Sequence, residues 1–185
     1  MFTSRSIQSS YSFREKLYSM DYILIISVLI LGIISMFAMY STAGGNYDYH
    51  TKSHVVRFGV FFLLFLCTSF FQVKLWYRSS TLLYIIFFIL LVCVKYFGLT
   101  SSGSQRWINL YVINLQPSEL MKIGLIMFLA KYYHRVPTND VNKVKFLFLP
   151  IVVLIAPVLL VVTQPDLGTA VLIAAGGVVV AWLAG

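Results

Sequence analysis

The sequence is poor in acidic residues and in charged residues of any kind. Six of its 185 residues are Asp or Glu, and charged residues make up 11% of the chain, well below the roughly 25% of soluble domains. Hydrophobic residues make up 59%. A water-soluble domain of this size has too little interior to hide so much apolar surface. The composition therefore excludes that class and favours a protein that uses the lipid bilayer as its solvent.

Cysteine and histidine are also scarce, at two and three residues. Cys67 and Cys93 lie inside apolar runs, where we expect buried small hydrophobic residues and no disulfide framework. His50, His54 and His134 fall in predicted loops on opposite sides of the membrane, without the paired spacing of zinc ligands. The sequence therefore indicates no metal site and no evident cofactor, and it leaves open whether a divalent cation assists any chemistry.

Apolar segments recur along the chain, and each approaches the roughly 20 residues that cross a bilayer. The six segments are residues 22–40, 55–71, 81–99, 117–133, 146–162 and 167–184. Backbone groups in lipid have no water partners, so an isolated span has to be a helix. The sequence predicts an all-α, polytopic membrane protein with a transmembrane domain over residues 21–185. Residues 1–20 are predicted to form a cytoplasmic segment, in which residues 11–20 are either a short interfacial helix or a disordered tail.

The formal net charge of +8 does not indicate a nucleic-acid partner, because the cations lie in short clusters between the apolar runs. Such a distribution is typical of the positive-inside rule, and we expect no nucleic-acid binding. It predicts a cytoplasmic N-terminus, since nine cations then flank the inner side and five the outer side. The inner cations are Arg5, Arg14, Lys16, Lys74, Arg78, Lys131, Arg135, Lys143 and Lys145, and the outer ones are Lys52, Arg57, Lys95, Arg106 and Lys122.

Small residues form a stripe on the last apolar segment, at Ala170, Ala174, Gly177 and Ala181. Their helical spacing lets another helix approach closely. The partner helix lies either in this chain or outside it. The sequence stops at Gly185 without a basic flank or a polar tail, and we expect such an ending from a truncated chain.

The predicted outer loop, residues 98–116, carries the first group of polar residues of interest. Gly103 and its neighbouring serines permit a turn, and Trp107 and Tyr111 suit the level of the lipid headgroups. Arg106 has a planar guanidinium that can grip a phosphate. Pairing with lipid headgroups is the alternative for this arginine.

The next motif is Gln116-Pro117-Ser118-Glu119. Proline suits the first position of a helix, and an acid in the first turn is favoured by the helix dipole, so a helix is predicted to start here. Lys122 follows Glu119 by three residues, so the two can pair on one face. An ammonium group one turn into a membrane has to pair, snorkel or face a polar cavity. A purely structural ion pair is the alternative to a binding role.

The same pattern recurs at Gln164-Pro165-Asp166, followed by Gly168, and predicts a second helix start on the outer side. Helix capping explains each acid singly. It does not explain why four ionisable groups gather at one depth, which makes them a candidate binding site. These four groups are Arg106, Glu119, Lys122 and Asp166.

In this order and spacing, the motifs resemble those of the SEDS family, named for shape, elongation, division and sporulation. The resemblance rests on residues 103–107, 116–119 with Lys122, and 164–170, and it extends from Asp21 to the end of the chain. It implies a fold of about ten helices, of which this chain is roughly the first half. It further implies a peptidoglycan glycosyltransferase that polymerises lipid II at the outer face of the bacterial cytoplasmic membrane. Membrane lipids and a class B penicillin-binding protein, a transpeptidase, are the implied partners.

Glycosyl transfer of this kind needs a cationic group to hold the departing diphosphate, a role that suits Arg106 and Lys122, while Glu119 can orient Lys122 and Asp166 positions a neighbour or caps a helix. The catalytic aspartate is expected in the second half of the family fold, so this chain alone is expected to be inactive. Gln105-Arg106-Trp107 looks more like the elongation branch, RodA, than the division branch, FtsW. An FtsW-like role and a flippase for lipid-linked precursors are the alternatives. Many family members carry Asp-Leu-Gly where this chain has Asn109-Leu110-Tyr111, so an acid at 109 is not required here.

Overall fold

The computed structural model describes residues 13–101, 104–109, 114–137, 140–141 and 143–185. The described residues form two compact units, which divide between Gln72 and Val73. The first unit contains α1 (Phe13–Tyr18), α2 (Tyr22–Thr42) and α3 (Tyr49–Ser69). The second contains α4 (Val73–Phe97), β1 (Leu99–Ser101), β2 (Ser104–Asn109), β3 (Asn114–Leu115), α5 (Pro117–Arg135), α6 (Val144–Val162) and α7 (Leu167–Ala184).

Five of these helices are long and apolar enough to cross a membrane, namely α2, residues 50–69 of α3, α4, α6 and α7. The predicted all-α polytopic membrane fold is therefore confirmed. The sixth predicted segment also forms a helix, α5, which packs against α4 and α7. It is the most polar of the set because Glu119, Lys122 and Lys131 lie on its 19 residues.

Capping aspartates start both long helices of the first unit. Asp21 accepts a hydrogen bond from the Leu24 amide at 3.1 Å, and Asp48 accepts one from the Thr51 amide at 2.9 Å. This cap explains why α3 begins at Tyr49, before the apolar run that starts at Val55. The backbone hydrogen bond from Thr51 favours the charged carboxylate and lowers the pKa of Asp48 below its ordinary value.

Several further expectations from the sequence are partly corrected. Residues 13–18 form a helix, α1, whose Lys16 ammonium donates to the Phe70 carbonyl at 2.9 Å; its position along the membrane surface stays a prediction. His50 and His54 lie in α3 and not in a loop. His134 likewise lies in the last turn of α5. The expectation that both cysteines are buried is wrong for Cys67, which is exposed on α3 because only 6% of the apolar stretch of that helix is buried, and Cys93 is half-buried on α4.

The second unit is a bundle in which α4, α5, α6 and α7 share one core. Its fully or nearly buried residues are Leu91, Met121, Leu125, Leu129, Val153, Val161, Ala170 and Ile173. Tyrosine hydroxyls also join the helices, since Tyr84 donates to the Val153 carbonyl at 2.9 Å and Tyr132 to the Phe146 carbonyl at 2.8 Å. Because lipid tails are as apolar as leucine, close packing and such hydrogen bonds stabilise the bundle more than burial does.

The stripe of small residues on α7 has its partners within this chain. Ala170 and Gly177 are buried, and α7 packs against both α5 and α6. A β-carbon added at Gly177 would meet the side chain of Leu154 and lie 3.4 Å from that of Leu125. The absence of a side chain at Gly177 therefore lets three helices approach one another.

The predicted outer loop is more ordered than its sequence indicates. Its described residues form an antiparallel sheet in the order β1-β2-β3, in which Ile108 pairs with Leu115 and Asn109 with Asn114. The central strand, β2, packs against α4 and α5. Local propensity is weak here, and the pairing depends on contacts with the helix ends. The sheet places Arg106 in a strand that is fixed on both sides.

Candidate functional site

Both predicted helix starts are confirmed. Pro117 is the first residue of α5, and Gln116 occupies the capping position without a side-chain cap hydrogen bond. Asp166 caps α7 and accepts from the Thr169 amide at 3.3 Å. The two starts lie side by side, because the Gln116 side-chain amide donates to Asp166 at 3.1 Å instead of capping its own helix.

Asp166 is the centre of the hydrogen bonding at this end of the bundle. Its carboxylate accepts from the Thr169 hydroxyl at 2.8 Å and lies 3.7 Å from a terminal nitrogen of Arg106. The other terminal nitrogen of Arg106 donates to the Pro165 carbonyl at 2.6 Å. Asp166 is 7% exposed. One buried carboxylate thus ties β2, the start of α5 and the start of α7 together.

The Arg106 guanidinium keeps donor capacity after these contacts. Its side chain is 34% exposed, and its Nε is buried with no hydrogen-bond partner among the described residues. A buried donor without a partner costs about 1–3 kcal/mol. Among the described residues the two terminal nitrogens use one hydrogen bond, to Pro165, so a phosphate oxygen that approached the exposed side of the guanidinium would meet unused N–H donors, and guanidinium and phosphate match in geometry.

Glu119 and Lys122 form a second pair, with the ammonium nitrogen 2.8 Å from a carboxylate oxygen. The lysine side chain is 24% exposed and the glutamate side chain 54%. Within the described residues, Glu119 is the one hydrogen-bond partner of Lys122, so two N–H donors of the ammonium stay available. The predicted pairing on one helix face is confirmed.

The structure therefore divides the four predicted site residues into two ion pairs. Arg106 joins Asp166, Glu119 joins Lys122, and none of the ion pairs among the described residues crosses between them. Gln116 connects the two pairs, because its side chain binds Asp166 and its carbonyl accepts from the Glu119 amide at 3.1 Å.

The predicted motif residues around the pairs have structural contacts of their own. Trp107 is half-buried in β2 and pairs with Leu99 across the sheet. Gln164 is 4% exposed and donates to the Leu91 carbonyl of α4 at 3.1 Å. Gly168 lies in the first turn of α7 with open space around it. The remaining motif residue, Gly103, lies outside the described residues, as does the proposed anchor Tyr111.

Sequence reasoning missed two contributors to this site. Thr169 binds the Asp166 carboxylate with both its amide and its hydroxyl. Its position three residues after a capping acid is a signal that the sequence does carry. The Leu91 carbonyl, the partner of Gln164, has no signal in the sequence because any residue type supplies a carbonyl.

The described residues contain no group of three or more His, Cys, Asp or Glu side chains placed to hold a metal ion. The chemistry available at this end of the bundle is instead cationic and hydrogen-bonding. Two cations with free donors lie at the starts of two helices, and such helix starts favour negative charge.

Comparison with known proteins identifies the family. The profile for FtsW, RodA and SpoVE, described as cell cycle proteins, matches residues 15–185. This chain belongs to that family. The resemblance to the SEDS proteins is thereby confirmed, and with it a multi-pass membrane protein.

Among curated relatives, the peptidoglycan glycosyltransferase MrdB of Escherichia coli K12 is 39% identical over 105 residues, which cover 56% of this chain and 27% of MrdB. The probable peptidoglycan glycosyltransferase FtsW of Buchnera aphidicola subsp. Schizaphis graminum is 33% identical over 136 residues, which cover 70% of this chain and 38% of that FtsW. This chain thus matches about a quarter to two-fifths of these relatives' lengths.

The comparison with solved structures gives the same family. The rod shape determining protein RodA of Thermus thermophilus superposes with a TM-score of 0.80 at 27% identity, over 90% of this chain and 54% of RodA. A chain from a peptidoglycan synthase complex, described as coordinating polymerization and crosslinking, gives a TM-score of 0.81 at 27% identity, over 90% of this chain and 48% of that one. The chain therefore spans about half the length of each solved protein.

Proposed function

We propose that the protein containing this chain is a peptidoglycan glycosyltransferase that polymerises lipid II, and that this chain supplies its diphosphate-binding end. The proposal rests on two ion pairs that lie at adjacent helix starts. Arg106 pairs with Asp166, and Lys122 pairs with Glu119. The names of MrdB and FtsW as peptidoglycan glycosyltransferases support the activity.

Glycosyl transfer from a lipid-linked sugar leaves a diphosphate, and cationic groups stabilise the charge that develops on it. Among the described residues, Arg106 offers a partly exposed guanidinium with unused N–H donors on its terminal nitrogens, and Lys122 offers two free N–H donors. Both side chains belong to the same end of the bundle. In the proposed reaction they bind the two phosphates.

The two carboxylates act on these cations and not on the sugar. Asp166 is held by Gln116 and Thr169 and orients Arg106, while Glu119 orients Lys122. A base that activates a sugar hydroxyl has to be free to accept a proton. Since both carboxylates are committed to cations, the proposal takes the base from another part of the full protein.

The proposed location is the cytoplasmic membrane of a bacterium, with the N-terminus in the cytoplasm. Antiparallel packing of the second unit places the motif end opposite the end that carries Lys74, Arg78 and Arg135. Basic residues favour the cytoplasmic side. The diphosphate-binding end then faces outward, where lipid II is polymerised in this proposal.

We assign the protein to the elongation branch and infer a class B penicillin-binding protein as its partner. The sequence Gln105-Arg106-Trp107 and the likeness to a rod shape determining protein support the branch. The likeness to a chain from a complex that coordinates polymerization and crosslinking supports a crosslinking partner.

The test uses the longest natural reading frame that contains this chain, purified with its partner and supplied with fluorescent lipid II. We expect Arg106→Ala and Lys122→Ala each to lower the yield of glycan polymer by about 100-fold, the usual effect of losing one group that stabilises developing charge. Lys52→Ala removes an exposed cation from the first unit and is the matched control. Full polymer yield from a folded Lys122→Ala protein would refute the assignment, as would an equal loss in the control.

The same proteins in sealed vesicles distinguish a polymerase from a flippase. Across the described part of α4 to α7, the charged residues lie near the ends of the helices, with none at the middle of α4, α6 or α7. A path that carries charge through the bilayer needs groups at mid-depth. We therefore expect polymer without movement of lipid II between leaflets, and movement without polymer would contradict the proposed activity.

A further inference from the structure

A second group of cations lies at the other end of the α4–α5 pair, far along both helices from the motifs. The Tyr77 ring of α4 lies between three side chains from the last turns of α5. The ammonium of Lys131 is 5.5 Å from the ring centroid and the guanidinium carbon of Arg135 is 5.7 Å from it. The His134 ring meets Tyr77 edge to face with a centroid distance of 5.6 Å. We call Tyr77, Lys131, His134 and Arg135 the Tyr77 cluster.

Hydrogen bonds hold the cations of the Tyr77 cluster in place and leave some of their N–H and O–H donors unused. Arg135 Nε donates to the Tyr77 hydroxyl oxygen at 3.1 Å, so the tyrosine proton is free to donate elsewhere. Lys131 donates to the Arg78 carbonyl at 3.2 Å and to the Thr81 hydroxyl at 3.0 Å, which leaves one of its three N–H donors. Among the described residues, the two terminal nitrogens of Arg135 have no hydrogen-bond partner.

The surroundings of the Tyr77 cluster are strongly positive. Six Lys and Arg side chains lie at this end of the described second unit, and the one carboxylate there, Asp140, pairs with Lys143 at 2.6 Å. The cations are Lys74, Arg78, Lys131, Arg135, Lys143 and Lys145. A site with this excess of positive charge and this number of free donors favours an anion.

The depth of the Tyr77 cluster identifies the kind of anion. Tyr77 lies in the second turn of the spanning helix α4, and the cluster is level with the start of the spanning helix α6. Helix ends and tyrosines of this kind lie at the lipid headgroups. Basic pockets between helices at this level bind anionic headgroups. A phospholipid phosphate reaches this level without leaving the membrane.

We propose that the Tyr77 cluster is a binding site for an anionic phospholipid. The two terminal nitrogens of Arg135 hold two oxygens of one phosphate, and the Tyr77 hydroxyl and the last free donor of Lys131 complete the contacts. His134 packs against the ring and keeps Tyr77 in place. The site lies at the end opposite the diphosphate-binding groups, so it stands whether or not the proposed polymerase activity does.

Native mass spectrometry of the chain in detergent tests the proposal. The probe is an equimolar mixture of phosphatidylglycerol and phosphatidylcholine with identical acyl chains. We expect the protein to retain phosphatidylglycerol about tenfold over phosphatidylcholine, because both lipids offer a phosphate but the cations of the site repel the choline ammonium of the second. Arg135→Gln abolishes that preference, and Tyr77→Phe lowers it by a few-fold because the Arg135 guanidinium loses the hydroxyl oxygen that fixes it.

Lys145→Gln is the matched control, since it removes one exposed cation from the same end but outside the Tyr77 cluster. We expect this variant to keep the preference within twofold. Equal losses in Arg135→Gln and Lys145→Gln would overturn the proposal in favour of a diffuse positive field. A wild-type protein without any preference would overturn it too, and that result does not depend on whether a variant folds.

A soluble headgroup separates a lipid site from a site for free anions. Glycerophosphoglycerol carries the same phosphodiester without acyl chains. At a concentration equal to that of phosphatidylglycerol, we expect it to leave the retained lipid unchanged, because the acyl chains hold the lipid beside α4 and α5. Displacement of the lipid under these conditions would contradict the assignment to a phospholipid.

Discussion

Replacing Asp166 with asparagine removes the charge that holds Arg106 and turns one acceptor into a donor. The carboxylate now accepts from Gln116 and Thr169 and lies 3.7 Å from Arg106. An asparagine amide cannot accept on both sides, so at least one buried donor loses its partner, at a cost of about 1–3 kcal/mol. Breaking a fully buried ion pair costs about 3–5 kcal/mol, but the Arg106 side chain is 34% exposed. We expect Asp166→Asn to destabilise the protein by about 2 kcal/mol.

Unfolding in mixed micelles with increasing sodium dodecyl sulfate measures this loss. Asp140→Asn is the matched control, because it breaks a pair with Lys143, whose side chain is 65% exposed, and exposed pairs contribute less than about 1 kcal/mol. Combining Asp166→Asn with Arg106→Gln isolates the pair, and we expect a coupling energy of about 1 kcal/mol. Strict additivity of the two substitutions, or equal losses in the control, would refute the view that Asp166 positions Arg106.

Two further predictions concern packing and pH. Gly124→Ala places a β-carbon 2.8 Å from the Phe87 ring, and we expect it to lower the free energy of unfolding by about 1–3 kcal/mol in the same assay. Gly59→Ala is the control, because its β-carbon would have nothing within 4 Å, and we expect it not to destabilise the protein. Equal effects of the two substitutions would contradict close α4–α5 packing. The lowered pKa of Asp48 means that its cap on α3 holds above the ordinary value of 3.8 and weakens as the pH falls through the lower folded value. An NMR titration of this carboxyl that gave a pKa of 3.8 or higher would contradict the hydrogen bond from Thr51.

Much of this fold is predictable because a bilayer restricts the backbone to helices, so apolar runs translate directly into elements. The starts of α5 and α7 were also predictable, since Pro117 and Asp166 carry their signal in the local sequence. The start of α4 at Val73 was not, because Lys74 and Arg78 interrupt the apolar pattern that marks a span. Strand pairing around Arg106 was missed as well, since it depends on contacts with residues distant in the chain.

The division of the four ionisable groups into two pairs was beyond sequence reasoning for a related reason. The spacing of Glu119 and Lys122 fixes their pairing, because residues three apart share a helix face. No spacing rule connects Arg106 to Asp166, because the two residues lie 60 positions apart in the sequence and on separate elements. Gln116 is ambiguous in the sequence, since it can cap its own helix or bind elsewhere, and the structure selects the second role.

The repeated Gln-Pro-acid pattern has an electrostatic consequence for the proposed function. The two cations and two carboxylates of the site cancel in formal charge, so these four side chains alone give the site no preference for an anion. The starts of α5 and α7 lie side by side there, joined through Gln116 and Asp166, and each contributes a partial positive charge of roughly half a unit. The carboxylates orient the cationic side chains, while the paired helix starts supply the net positive field. A diphosphate that entered would therefore meet oriented donors without displacing either acid.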